Sequence, residues 1–173
     1  MKKKLIFGVL LSGFLFSNQV EAAEIEEEPK AIEFKFDGTT DEIIKENIIV
    51  RELQHNPHVF NERVSIMGAG VWDYLGESTF SNESSVFPSN GGDYMVSLIH
   101  PKDKKAKFIY ELKEQDPLWS STVERFTIEG PGEYYEVEFR GISGWLDGDD
   151  NQAEFFLSKL APSFTTVSAG FWD

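Results

Sequence analysis

Apolar and polar residues alternate along much of this chain. Tyr135, Val137 and Phe139 interleave with Glu136, Glu138 and Arg140. Side chains on a strand point alternately to its two faces, so this period of two predicts a half-buried strand. The first set should face the core and the second should face water. Ala31–Phe36 alternates in the same way, and so do Phe108, Tyr110 and Leu112 against Ile109, Glu111 and Lys113. Val64–Leu75 reads as a long strand bent at Gly68 and Gly70, where missing side chains suit a bulge. Tyr94–His100 is apolar on both faces, and further strands are predicted over Val123–Ile128, Ala153–Leu160 and Phe164–Trp172.

Between these runs lie turn-forming residues. Gly76–Gly92 and Glu114–Ser121 read as loops, Pro101–Lys105 as a turn, and Gly130-Pro131-Gly132 as a tight turn into the strand at Tyr134. The stretch from Asp41 to Leu53 is mixed. Thr40 or Asp41 can cap a helix, and Ile43, Ile44 and Ile48 roughly share one helical face. Ile48-Ile49-Val50 is β-branched and favours a strand. The expectation is a short helix near 41–47 running into a strand. With about eight strands, no βαβ rhythm and no repeat, the pattern predicts an all-β fold. We read it as a single antiparallel β-sandwich, with a β-barrel as the alternative.

The amino terminus changes the picture of where this domain works. Lys2, Lys3 and Lys4 precede an apolar run from Leu5 to Phe16, and Val20-Glu21-Ala22 has a small-x-small pattern. This is the layout of a secretory signal peptide cut after Ala22, and the run is too short to span a bilayer. Residues 1–22 are therefore read as a cleaved signal, 23–30 as a flexible acidic leader and 31–173 as the β-sandwich domain. The chain has no Cys. A secreted domain of this kind has no disulfide framework and must stand on its core. Of 16 basic and 30 acidic residues, the signal removes three Lys and one Glu. The mature product keeps 13 basic and 29 acidic residues, a net charge of −16. That charge repels nucleic acid and anionic membrane surfaces, and it suits cations.

Candidate chemistry centres on Asp147-Gly148-Asp149-Asp150-Asn151-Gln152. Asp147, Asp149 and Asn151 open like a calcium loop, with hard oxygen ligands at alternate positions. Gln152 then stands where such a loop needs Gly, and Ser158 where it needs a bidentate Glu, so an EF-hand is excluded. An irregular Ca²⁺ site from Asp147, Asp149, Asp150, Asn151 and Glu154 is the remaining expectation; the same residues also make an ordinary acidic hairpin turn. His55 and His58 flank Pro57 and share no helical face, which removes the usual zinc geometry. Gly141-Ile142-Ser143-Gly144 lacks the spacing of a nucleophile elbow. Trp119 and Trp145 lie near turns and are candidates for a binding surface, since an indole there can stack on a sugar or anchor a protein partner. The sequence thus predicts a secreted, non-catalytic binding module of a bacterial-type exported protein. Its partner would be an extracellular protein or glycan. A small secreted hydrolase with a carboxylate-based site is the alternative.

Overall fold

A computed structural model describes residues 30–56, 72–102, 106–116, 118–147 and 151–173. The signal peptide, nearly all of the acidic leader, His58, the Val64–Val71 part of the expected long strand, and Asp149 and Asp150 lie outside the described residues. The strands are β1 (Ile32–Lys35), β2 (Glu42–Lys45), β3 (Ile48–Leu53), β4 (Tyr74–Phe80), β5 (Phe87–Ser89), β6 (Tyr94–Ile99), β7 (Lys107–Gln115), β8 (Ser120–Glu129), β9 (Tyr134–Phe139), β10 (Ala153–Ala161) and β11 (Val167–Trp172). One turn of 3-10 helix covers Ile142–Trp145.

The strands form two sheets, ordered β1-β8-β7-β10-β5 and β2-β3-β9-β6-β11-β4. They pack face to face as a β-sandwich, and neither closes into a barrel. Every pairing is antiparallel apart from β1 with β8. The interior is filled from both inner faces. Val50, Val137 and Val96 stand in one row across β3, β9 and β6 and are all fully buried. Rings interlock between the layers: Phe126 on β8 meets Phe139 on β9 edge-on, 5.5 Å between centroids, and Tyr94 on β6 meets Phe155 on β10 at 5.0 Å. Such aromatic contacts add roughly 0.5–1.5 kcal/mol each beyond the area they bury.

Four expectations are corrected. No helix forms at 41–47. Ile43, Ile44, Ile48 and Ile49 instead make the β2–β3 hairpin, whose two-residue turn places Glu46 at φ 53. β-branched residues on both sides of a short turn outweigh a cap signal. Gly76–Gly92 is not one loop, because it contains most of β4 and all of β5. Gly76 belongs there for a steric reason: a Cβ would stand 2.6 Å from the Phe87 ring, which stacks on Phe171 at 4.3 Å. Glu114–Ser121 is likewise shortened to a hairpin tip, with β7 running to Gln115 and β8 starting at Ser120. The last strand begins at Val167; Phe164 sits in the preceding turn at φ 60.

The inward set on β9 is as expected, with Tyr135, Val137 and Phe139 fully buried. The outward set is solvated only at Arg140, which is exposed as expected. Glu136 is half-buried and Glu138 is buried, because β9 runs inside its sheet between β3 and β6, and Arg51 and Arg140 lie across it. Arg51 donates to Glu42, Glu136 and Glu138, and Arg140 donates to Glu138 at 2.8 Å. The outer face of the other sheet has a matching pair, Arg125 with Glu111.

Candidate functional site

At one end of the sandwich three carboxylates converge from three elements. They are Glu114 near the end of β7, Glu154 near the start of β10, and Asp147 at the mouth of the acidic loop. One oxygen from each lies within 4.8 Å of the others. Glu114 continues the parity of Phe108, Tyr110 and Leu112, so it stands at a core position and is only 3% exposed. The register sets it opposite Phe155, the neighbour of Glu154. Asp147 is placed by its pairing with Gln152, which closes the loop through Asp147 N–H to the Gln152 carbonyl at 3.2 Å.

That loop is stapled in turn to the β5–β6 connection. Gln152 Nε2 donates to Asn90 Oδ1 at 3.0 Å, and Asn90 donates from both its main chain and its side chain to the Asp173 carboxylate. The 3-10 turn is fixed on the same connection. Ile142 N–H donates to the Gly92 carbonyl, Gly92 N–H to Ser143 Oγ, and Gly141 N–H to Asp93 Oδ1. Gly91 has φ 87 and lies under Leu146, whose Cδ1 would be 2.7 Å from any Cβ there. The approach to Asp147 is thus built from main-chain hydrogen bonds and a close contact that only glycine allows.

The electrostatics of the three differ. Oε1 of Glu114 is buried and has no hydrogen-bond partner. Burial pushes the Glu114 carboxyl up to about 7, with Asp116, Asp147 and Glu154 adding repulsion and a main-chain hydrogen bond from Glu154 opposing it. Asp147 is exposed and Glu154 half-buried. Of the residues that the sequence marks for a metal, the structure unites Asp147 and Glu154. Asn151 occupies the loop turn at φ 56, and Asp149 and Asp150 fall outside the described residues. Sequence reasoning missed Glu114 by ending the strand at Lys113. The signal was a carboxylate at the next inward position after Phe108, Tyr110 and Leu112.

The two tryptophans part company. Trp145 packs against the core at the end of the 3-10 turn. Trp119 is 63% exposed and its neighbour Leu118 85% exposed, at the tip of the β7–β8 hairpin. Asp116 N–H donates to the Trp119 carbonyl at 2.9 Å and closes that tip. The pair Gln115–Ser120 separates it from Glu114 and Ser121, so the apolar tip and the carboxylates share one end of the sandwich. A surface recess of about 330 Å³ lined by Phe36, Asp37, Lys107, Glu129 and Pro131 lies at the opposite end of β7 and β8.

His55 is exposed. His100 is buried, stacked on Phe108 at 3.8 Å, with Nε2 2.9 Å from Tyr110 Oη. Burial lowers its pKa to about 3, so the ring is a neutral part of the core.

Residues 74–171 match the family model described as the YndA coiled coil domain, which is more than half of the chain. The chain belongs to that family. A relative from Bacillus subtilis (strain 168), "Uncharacterized protein YndA", is 31% identical over 115 residues, covering 65% of this chain and 81% of that protein. No solved structure matches the chain. The matched span runs from β4 to near the end of β11, and its described residues contain no α-helix. The words "coiled coil" in the description therefore do not fit the architecture of this member. Glu114, Trp119, Asp147 and Glu154 all fall within the matched span.

Proposed function

We propose that this chain is a secreted, non-catalytic binding module that meets an extracellular protein or glycan with the β7–β8 tip. The observation that carries this reading is the adjacent exposed pair Leu118 and Trp119. In a fold that buries most of its rings, an exposed Leu-Trp pair on a short hairpin is an apolar contact surface held by a rigid scaffold. The charge of the chain directs it toward neutral or cationic partners. Glycan-array and cell-wall pull-down assays with the wild-type chain and Trp119→Ala test it. Binding that falls at least tenfold in the variant supports the reading; binding unaffected by Trp119→Ala refutes it.

One observation favours the hydrolase alternative. Glu114, held up to about 7, stands beside two other carboxylates, the contrast of acid and base used in glycoside hydrolysis. The recess lined by Phe36, Lys107 and Glu129 lies at the other end, away from these groups. Turnover of chromogenic glycosides that disappears in Glu114→Gln would favour this second reading.

A further inference from the structure

We propose that Glu114, Asp147 and Glu154 bind one calcium ion, with Glu114 as the buried ligand at the base of the site. This goes beyond the contact surface at Trp119 and stands whether or not that surface has a partner.

The geometry argues for a cation. Three carboxylates from β7, β10 and the acidic loop place oxygens within 4.8 Å of one another. Among the described residues, no cationic side chain forms an ion pair with Glu114 or Asp147. Exposed acidic clusters are common, and this one differs from them in its floor. Glu114 occupies an inward strand position that its parity partners fill with Phe108, Tyr110 and Leu112. Its Oε1 is buried and accepts no hydrogen bond. A buried acceptor left without a partner costs about 1–3 kcal/mol, more if charged, and a cation held between Glu114, Asp147 and Glu154 would offset that cost.

The donor set selects the ion. All three ligands are carboxylates, with no imidazole or thiolate, which suits a hard cation over zinc or copper. Ca²⁺ accepts irregular oxygen geometry, whereas Mg²⁺ demands a near-ideal octahedron and keeps most of its waters. Three carboxylates brought together from two strands and a loop suit the less demanding ion. Three carboxylates supply three to six oxygens, depending on denticity, and the outward side, where Asp147 is exposed, leaves room for water to complete a shell of six to eight. Calcium would also hold Glu114 ionised at neutral pH and join β7, β10 and the acidic loop at one point.

The test uses the full chain, stripped with EGTA and titrated with calcium chloride by calorimetry, with terbium as a luminescent stand-in. Melting is followed in parallel against sodium chloride of equal ionic strength, which removes general screening. At a hundredfold excess over Kd, calcium should raise Tm by about 5–10 °C more than the sodium chloride control. Glu114→Gln and Asp147→Asn should each weaken binding at least tenfold, while Glu46→Gln in the β2–β3 turn should bind as the wild type does. Should Glu114→Gln fail to fold, Glu154→Gln gives the same comparison from a more exposed ligand. Equal melting shifts in the two salts, or calcium binding unchanged in the Glu114 and Glu154 variants, would overturn the proposal. Tighter binding of zinc than of calcium would overturn the choice of ion.

Discussion

Arg51 on β3 and Glu138 on β9 meet across the outer face of the six-stranded sheet, Nη1 to Oε2 at 3.0 Å. Glu138 also receives Arg140 at 2.8 Å, so one buried carboxylate is held by two guanidinium groups. Glu138→Gln removes the charge that both arginines face and leaves donors unmatched. We expect a loss of about 1–3 kcal/mol, measured as a lower urea midpoint with unchanged slope. Glu133→Gln, outside this network, should change the midpoint by less than about 0.5 kcal/mol.

Val137 on the other face of β9 gives the complementary test. It is fully buried between Val50 and Val96. Val137→Asp would bury a charge with no partner in an all-apolar row, a cost comparable with the whole stability of a domain of this size. The variant should be found unfolded by near-ultraviolet circular dichroism, whereas Val137→Ala should fold with a reduced Tm.

β9 also shows what the pattern could and could not reveal. Alternation identifies two faces and, through Tyr135, Val137 and Phe139, which one is the core. It does not tell whether the polar face meets water or the arms of two arginines, because Arg51 is distant in sequence and arrives through the β3–β9 pairing. Glu114 was hidden for a related reason. A glutamate after Lys113 reads as the end of a strand, although its parity is that of the core residues before it. The acidic loop was legible as a cation candidate from the alternate spacing of Asp147, Asp149 and Asn151; the cluster keeps Asp147 and Glu154 of that candidate set, and its third member comes from β7, 33 positions before Asp147 in the chain. The helix expected at 41–47 failed because a cap is a local signal, and the hairpin is fixed by β3 pairing with β9.

His100 predicts a pH dependence. Its folded-state pKa is pushed down to about 3 by burial, while an unfolded histidine titrates near 6.5. Between these values the unfolded chain binds the extra proton, so the stability contributed by neutral His100 is fully present above about pH 6.5 and declines as pH falls toward 3. Glu114 acts in the opposite sense, since its raised pKa favours the folded state as pH drops below about 7. The comparison is therefore with His100→Gln, which shares all other groups. At pH 4.5 the wild type should have lost roughly 2–3 kcal/mol more than the variant, relative to pH 7. Parallel pH profiles for the two proteins would contradict this.

Export is checked directly. Mass spectrometry of the culture medium of an expressing bacterium should find a product beginning at Ala23. Recovery only from the membrane fraction, with Met1–Ala22 still attached, would contradict the signal-peptide reading.

Among the described residues, the outermost strands of the two sheets have a bearing on whether folded copies add to one another. An unpaired strand edge is a template on which another chain can add and start a fibril. Here β5 is three residues long and has Pro88 at its centre, which has no N–H to offer. β1 and β2 are four residues each and carry Lys35, Glu42 and Lys45. β4, the longest of the four, is broken in register between its partners Phe171 and Trp172. Each rim is thus short, charged, irregular or missing a donor. A disulfide-free protein with such rims is protected from self-templating by its outline, and a Pro88→Val change that restores the missing donor would be the simplest way to make it fibrillise.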